Sequence, residues 1–159
     1  MRRRVCASAL AAALAGTLAG CAKPPPPPKP PSVLTIRIAA TAQLNPDARA
    51  RPSPVVLRVY ELKSSAQFDS ADFLSLFDKD QATLGADVVA RDEMVLRPSE
   101  TKTLTKPLNP DTKFIGVMAA FRELERARWR SLVAITADKN NAVTIDLDAF
   151  SVQTTGSAR

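Results

Sequence analysis

The sequence contains no histidine. That removes the commonest general base, the commonest neutral metal ligand and every catalytic triad built on an imidazole. Thiols are nearly as scarce, with Cys6 and Cys21 the two cysteines. Both precede the first segment that reads as folded, which leaves the domain no sulfur for a disulfide, a zinc site or a nucleophile. Glycine is sparse and isolated, at Gly16, Gly20, Gly85, Gly116 and Gly156, so no glycine-rich loop is available to cradle a phosphate. Aromatic residues make up 5% of the chain, with one Trp and one Tyr, and the basic residues are scattered. A nucleic-acid surface needs basic residues gathered on one face, with aromatics interleaved.

A membrane-spanning run is also missing. Arg2, Arg3 and Arg4 open the chain, and the small apolar stretch Val5–Ala19 falls short of the roughly 20 residues that cross a hydrocarbon core. It ends in Leu18-Ala19-Gly20-Cys21, a small-residue cleavage site with cysteine in the first mature position. This resembles the lipobox of bacterial lipoproteins, so residues 1–20 are expected to be a signal peptide and Cys21 the lipidated residue. Cleavage there leaves 139 of the 159 residues, and loss of the three arginines takes the formal charge from +6 to +3. A chain of that length suits one domain and buries roughly two-thirds of its unfolded surface. Pro24–Pro28, Lys29, Pro30 and Pro31 then form a tether. Its composition favours extended polyproline II, a spacer on the order of 25 Å. The expected division is 1–20 signal peptide, 21–32 lipidated tether, 33–154 folded domain and 155–159 tail.

From Ser32 onward the hydrophobic period is two. Leu34, Ile36, Ile38 and Ala40 alternate with Thr35 and Arg37, marking Val33–Ala40 as a half-buried strand. Val55–Leu62 is β-branched and apolar and reads as the second strand. The connection Thr41–Pro54, punctuated by Asn45-Pro46-Asp47 and Pro52-Ser53-Pro54, is long for a hairpin. Ser70–Phe77 predicts a short helix, with Ser70 as N-cap, Asp72 in the first turn, and Phe73, Leu76 and Phe77 on one stripe. Further strands are expected at Asp87–Leu96, Lys102–Leu108, Lys113–Phe121 and Val143–Leu147. Short strands with regular turn signals predict an all-β sandwich. Ala119–Val133 is rich in helix formers, and propensity alone would make it a helix.

Three motifs suggest chemistry and then fail. Asp146 and Asp148 lie on one strand face, as paired carboxylates of a hydrolase would, but they alternate with Ile145 and Leu147 like a solvated face. Asp78-Lys79-Asp80 begins like a calcium loop, yet Ala82, Thr83 and Val89 occupy positions that need an oxygen, a glycine and a glutamate. Ser99-Glu100-Thr101-Lys102 matches a Ser-x-x-Lys nucleophile motif without its partner motifs. Arg126, Arg128 and Arg130, with Trp129 opposite, fit an exposed strand face over a core tryptophan, and also fit a site for an acidic partner or lipid headgroups.

Four stretches together resemble one family. They are Leu44–Asp47 with Arg51–Lys63; Phe68–Phe77; Ile115–Leu124, containing Phe121-Arg122-Glu123-Leu124; and Ala127-Arg128-Trp129-Arg130. In this order and beneath a lipobox, they are similar to TssJ, the outer-membrane lipoprotein of the bacterial type VI secretion system, over about Val33 to Leu147. The resemblance implies a transthyretin-like β-sandwich of two four-stranded sheets with a short helical addition. It also places Phe121–Leu124 at a strand end, so Ala119–Val133 is expected as a hairpin, Lys113–Phe121 against Arg128–Ile135.

The resemblance further implies no catalysis, no cofactor and no metal. Its partners would be the periplasmic domain of the inner-membrane protein TssM and, through acylated Cys21, the outer membrane. Ala22 in place of aspartate favours outer-membrane sorting. The soluble domain is expected to be a monomer that takes neither nucleic acid nor a small-molecule substrate. The docking element would be the loop Thr41–Pro54, with Leu44, Asn45, Pro46, Asp47, Arg49, Arg51, Pro52 and Ser53 at the contact. One common form of this loop has glycine before Arg-Pro, where this chain has Ala50. The alternative is a periplasmic module for peptidoglycan or a small ligand, which would need a concave site with aromatic or paired polar groups.

Overall fold

The computed structural model describes residues 31–158. The expected signal peptide 1–20, Cys21 and the tether through Pro30 lie outside the described residues. Eight strands follow in order: β1 Val33–Ala40, β2 Val55–Leu62, β3 Val88–Leu96, β4 Thr101–Pro107, β5 Phe114–Ala119, β6 Arg130–Ala134, β7 Asn141–Leu147 and β8 Val152–Ala158. Helices α1 Ala66–Ser70 and α2 Phe73–Leu84 lie between β2 and β3. One sheet has the order β4-β1-β7-β8 and the other β3-β2-β5-β6, the expected two-sheet sandwich with a short helical addition. β1 and β7 run parallel; every other pair within the sheets is antiparallel.

The two sheets bury themselves differently, and their sequences show it. The first has one dry face: Leu34, Ile36 and Ile38 of β1 and Val143, Ile145 and Leu147 of β7 point inward, while Arg37 and Asp146 are exposed. The second is covered on both faces, so β2 and β5 read as nearly unbroken apolar runs. Leu57, Val59, Ile115 and Val117 meet the first sheet. Tyr60, Leu62 and Met118 face the helices, where Phe68, Leu76 and Leu84 complete a second core. Gly116 permits this contact, because a Cβ there would lie 2.9 Å from Leu62 Cδ1 and 3.1 Å from the Phe68 ring.

The helical addition departs from expectation. Ser70 ends α1, and the N-cap of the next helix is Asp72, whose carboxylate accepts the Ser75 N–H at 2.9 Å and its hydroxyl at 2.6 Å. Both residues are good caps; burial of Phe68 uses Ser70 in the preceding turn and leaves Asp72 to start the next. α2 also continues past Phe77 to Leu84, with a kink at Lys79, whose φ is −139°. Arg58 on β2 takes up the carbonyls there, donating to Leu76 O at 3.2 Å and Phe77 O at 2.7 Å. Below the kink, Asp80 accepts from Arg91 at 2.6 Å and from the Tyr60 hydroxyl at 3.1 Å. Burial pushes the Tyr60 phenol up to about 12.

The segment rich in helix formers is a hairpin, but its strands are shorter than expected. β5 stops at Ala119 and β6 starts at Arg130. The intervening N–H groups have tertiary partners: Ala120 donates to Val56 O at 2.9 Å, and Arg122 to the Asn45 side chain at 2.9 Å. Trp129 wedges against Phe73, ring centroids 5.4 Å apart. β8 was not predicted, and it runs through residues expected as a tail, on to Ala158. Its weakly apolar sequence is recruited by the open edge of β7, and Val152 is its one fully buried side chain.

Candidate partner-binding site

The β1–β2 connection is a loop of defined shape. Leu44 points into the inter-sheet core and is fully buried. Its N–H donates to Thr41 O at 3.3 Å, and its carbonyl accepts from Ser53 N at 3.0 Å, drawing the two ends of the loop together. Asn45 follows with φ of 46° in the left-handed region, where asparagine is one of the few non-glycine residues tolerated. The residue is 97% buried and both polar atoms of its side chain have partners, as Nδ2 donates to Pro54 O at 2.8 Å and Oδ1 accepts from Arg122 N at 2.9 Å.

Asp47 organises the exposed tip. One carboxylate oxygen accepts the N–H groups of Arg49 at 2.9 Å and Arg51 at 3.0 Å; the other takes Arg51 Nε at 2.8 Å. The side-chain bond to Arg51 is the largest cause that lowers the Asp47 pKa to about 2. A depressed carboxylate contributes order above its ordinary value near 4 and loses it as pH falls through about 2. The tip therefore keeps its charged, closed form throughout the neutral and mildly acidic range.

Ala50, where the family resemblance points to glycine, holds φ of 58° and donates its N–H to Asp47 O at 2.8 Å. A left-handed alanine is strained by roughly 1–2 kcal/mol, partly offset because glycine has more unfolded-state freedom to lose. Ala50→Gly should therefore raise the melting temperature by roughly 2–4 °C, read by thermal unfolding. An unchanged or lowered value would show that the loop relaxes around alanine without strain.

The expected site residues divide into two groups. Leu44, Asn45 and Ser53 are buried and build the loop from inside. Arg49, Arg51 and Pro52 are exposed, and Pro46 and Asp47 are half-buried. The expectation that the Leu44 side chain lies at the partner contact is corrected, because core packing already uses it. Two neighbouring segments complete this end: the turn after β5, tied on by Asn45 and carrying Arg126 and Arg128, which the sequence also fits to an acidic partner, and the β7–β8 turn, where Ala149 O accepts Asn45 N–H at 3.2 Å. No local signal places either beside the loop, since Asn45 and Arg122 are 77 residues apart and Ala149 lies farther still along the chain.

The other motifs have structural partners. Asp148 accepts the Thr41 hydroxyl at 2.9 Å, and Asp146 lies exposed on β7. Ser99, with φ of 63°, belongs to the β3–β4 turn, and Lys102 Nζ donates to Val95 O at 3.1 Å. Arg126, Arg128 and Arg130 do not share a strand face. Arg126 sits in the turn over the Phe150 ring at 4.6 Å, Arg128 forms an isolated bridge to Ser151, and Arg130 donates to Phe68 O and Ala71 O, at 3.0 and 2.7 Å, at the C-terminal end of α1. Among the described residues no cluster of acidic or cysteine side chains could hold a metal ion.

Two four-stranded sheets packed face to face, with a short helical addition, define a β-sandwich. More specifically, residues 32–150 match the family model of the type VI secretion lipoproteins (T6SS-SciN; VasD, EvfM, TssJ), and the chain belongs to that family. The T6SS lipoprotein TssJ1 from Pseudomonas aeruginosa is 37% identical and superposes with a TM-score of 0.76, over 82% of this chain and 98% of that one. Serratia marcescens Lip, a membrane-bound component of the type VI secretion system, is 27% identical, with a TM-score of 0.72 over 81% of this chain and 99% of its own. A chain of the structure described as the T6SS protein TssM C-terminal domain (869–1107) from EAEC is 28% identical, with a TM-score of 0.60 over 80% and 97%. No curated protein matches this sequence.

Proposed function

We propose that this lipoprotein is held at the periplasmic face of the outer membrane by acylated Cys21. There its β1–β2 loop binds the periplasmic domain of TssM and ties the secretion membrane complex to that membrane. The role is structural and requires no catalysis. The observation that carries this reading is the closed form of the loop. Asp47 and Asn45 hold it in one shape before any partner arrives, so binding costs less ordering entropy than a mobile loop would. The family's description as type VI secretion lipoproteins supports both the anchor and the setting. A multiply acylated cysteine suits a permanent tie, since stable anchoring needs at least two membrane signals.

Replacing residues 45–51 with a short Gly-Ser linker tests the docking role. Affinity for the TssM periplasmic domain, titrated against the full chain in detergent micelles, should fall at least tenfold, about 1.4 kcal/mol. A folded variant of unchanged affinity would place docking elsewhere, on the helical addition around Phe68–Phe77. For the anchor, Cys21→Ser should abolish palmitate labelling and shift the protein out of the outer-membrane fraction. Wild-type protein that takes no label would remove the lipid anchor from the proposal.

A further inference from the structure

We propose that the docking surface has a second wall, the turn Arg122–Arg128 after β5. Arg122 and Arg128, with Arg49 of the β1–β2 loop, would take carboxylates from an acidic segment of the protein partner. The inference rests on the reading of the β1–β2 loop as docking element.

Geometry is the first support. Asn45 ties three segments into one end of the sandwich, accepting from Arg122 N and donating to Ala149 O and Pro54 O. Arg128 closes the arrangement, since its N–H donates to Phe150 O at 2.8 Å and its carbonyl accepts from Val152 N at 3.0 Å. The turn is braced internally by the Arg126–Glu123 pair at 3.0 Å and by Arg126 stacked over Phe150. This end also lies opposite the point where the chain enters the fold at Val33, on the order of 25 Å away along β1. A partner approaching it would not meet the tether.

Charge is the second support. Asp47 is occupied by Arg51, Glu123 by Arg126, and Asp148 accepts from Thr41. Arg49, Arg122 and Arg128 are exposed and form no ion pair among the described residues; the exposed acids of these loops outside any ion pair are Glu125 and Asp148, the latter accepting the Thr41 hydroxyl. An arginine fork matches a carboxylate in bidentate geometry, and arginine is enriched where interfaces concentrate their energy. Three free forks on a braced surface fit an acidic segment.

The test is titration of the TssM periplasmic domain against the full chain in detergent micelles. The double variant Arg122→Gln/Arg128→Gln is compared with Lys113→Gln/Lys139→Gln, which alters exposed lysines at the opposite end. The arginine pair should raise Kd at least fivefold and flatten its salt dependence, with the melting temperature kept, while the lysine pair stays within twofold of wild type. An arginine pair within twofold of wild type, beside a tenfold loss on replacing residues 45–51, would confine docking to the first loop and overturn the second wall. Equal losses from both pairs would reduce the effect to net charge and overturn it too. If replacing residues 45–51 also leaves Kd unchanged, the docking reading itself has failed.

Discussion

Leu44→Ala should lower the unfolding free energy by about 2–5 kcal/mol, the range for truncating a fully buried leucine and leaving its cavity. Leu44 is 0% exposed and packs in the cluster between the sheets, although it lies in a connecting loop. Its backbone also accepts from Ser53 and donates to Thr41, so the truncation loosens both ends of the loop. Binding to TssM should therefore weaken only as the loop loses its shape, in step with the loss of stability. Chemical denaturation and calorimetric titration of the same variant separate the two effects. If affinity collapsed while the denaturation midpoint stayed fixed, Leu44 would be a partner anchor after all, and its buried position would not describe the bound protein.

Lys106→Met should cost about 3 kcal/mol, because it leaves a buried carboxylate without its cation. Glu61, on the core face of β2, is 3% exposed. Its carboxylate accepts from Thr112 Oγ1 at 2.8 Å and pairs with Lys106 Nζ, on β4 of the other sheet, at 2.7 Å. Asp92 of β3 shares the same ammonium. Burial alone would lower the Lys106 pKa, but the hydrogen bonds its ammonium donates to Asp92 and Glu61 outweigh it and hold the value above the ordinary one. A lysine raised on folding contributes fully below its unfolded value, about 10.4, and loses that contribution as pH rises through the higher folded value. Urea melts at neutral pH should therefore show the full deficit. The double variant Glu61→Gln/Lys106→Met should recover at least half of it, since the uncompensated charge is gone. A single-variant loss below about 1 kcal/mol would mean that water compensates Glu61 and that the pair does little to join the sheets.

The fold was legible where one physical constraint dominates. β1 shows period two because one face meets the core and the other meets water. β2 shows an unbroken apolar run because sheet and helices cover both of its faces. The loop between them was legible from its length and prolines, whereas the positive φ at Ala50 is seen only in the structure. Helix boundaries were less accessible: Ser70 and Asp72 both carry capping side chains, and only the burial of Phe68 separates them. For Ala119–Val133, propensity favoured helix, and the hairpin came from the family resemblance. The structure supplies the physical reason in backbone bonds to Val56 and Asn45.

By itself the sequence determined the class of protein: a β-sandwich without histidine or domain thiols, preceded by a lipobox-like segment and a proline tether. These are consequences of composition and local periodicity, which act over a few residues and survive without any partner chain or distant contact. Only the tertiary structure decided which loop residues face outward, that Leu44 and Asn45 belong to the interior, and that the turn after β5 joins the same end of the molecule. It also decided that β8 forms at all. β8 pairs with its neighbour β7 across a short turn, and its own residues are too weakly apolar to announce it; the loop contacts depend on a neighbour far along the chain, such as Asn45 against Arg122. Pairing between elements so distant is set by how two sheets close on a shared core, and no local pattern of residues encodes it.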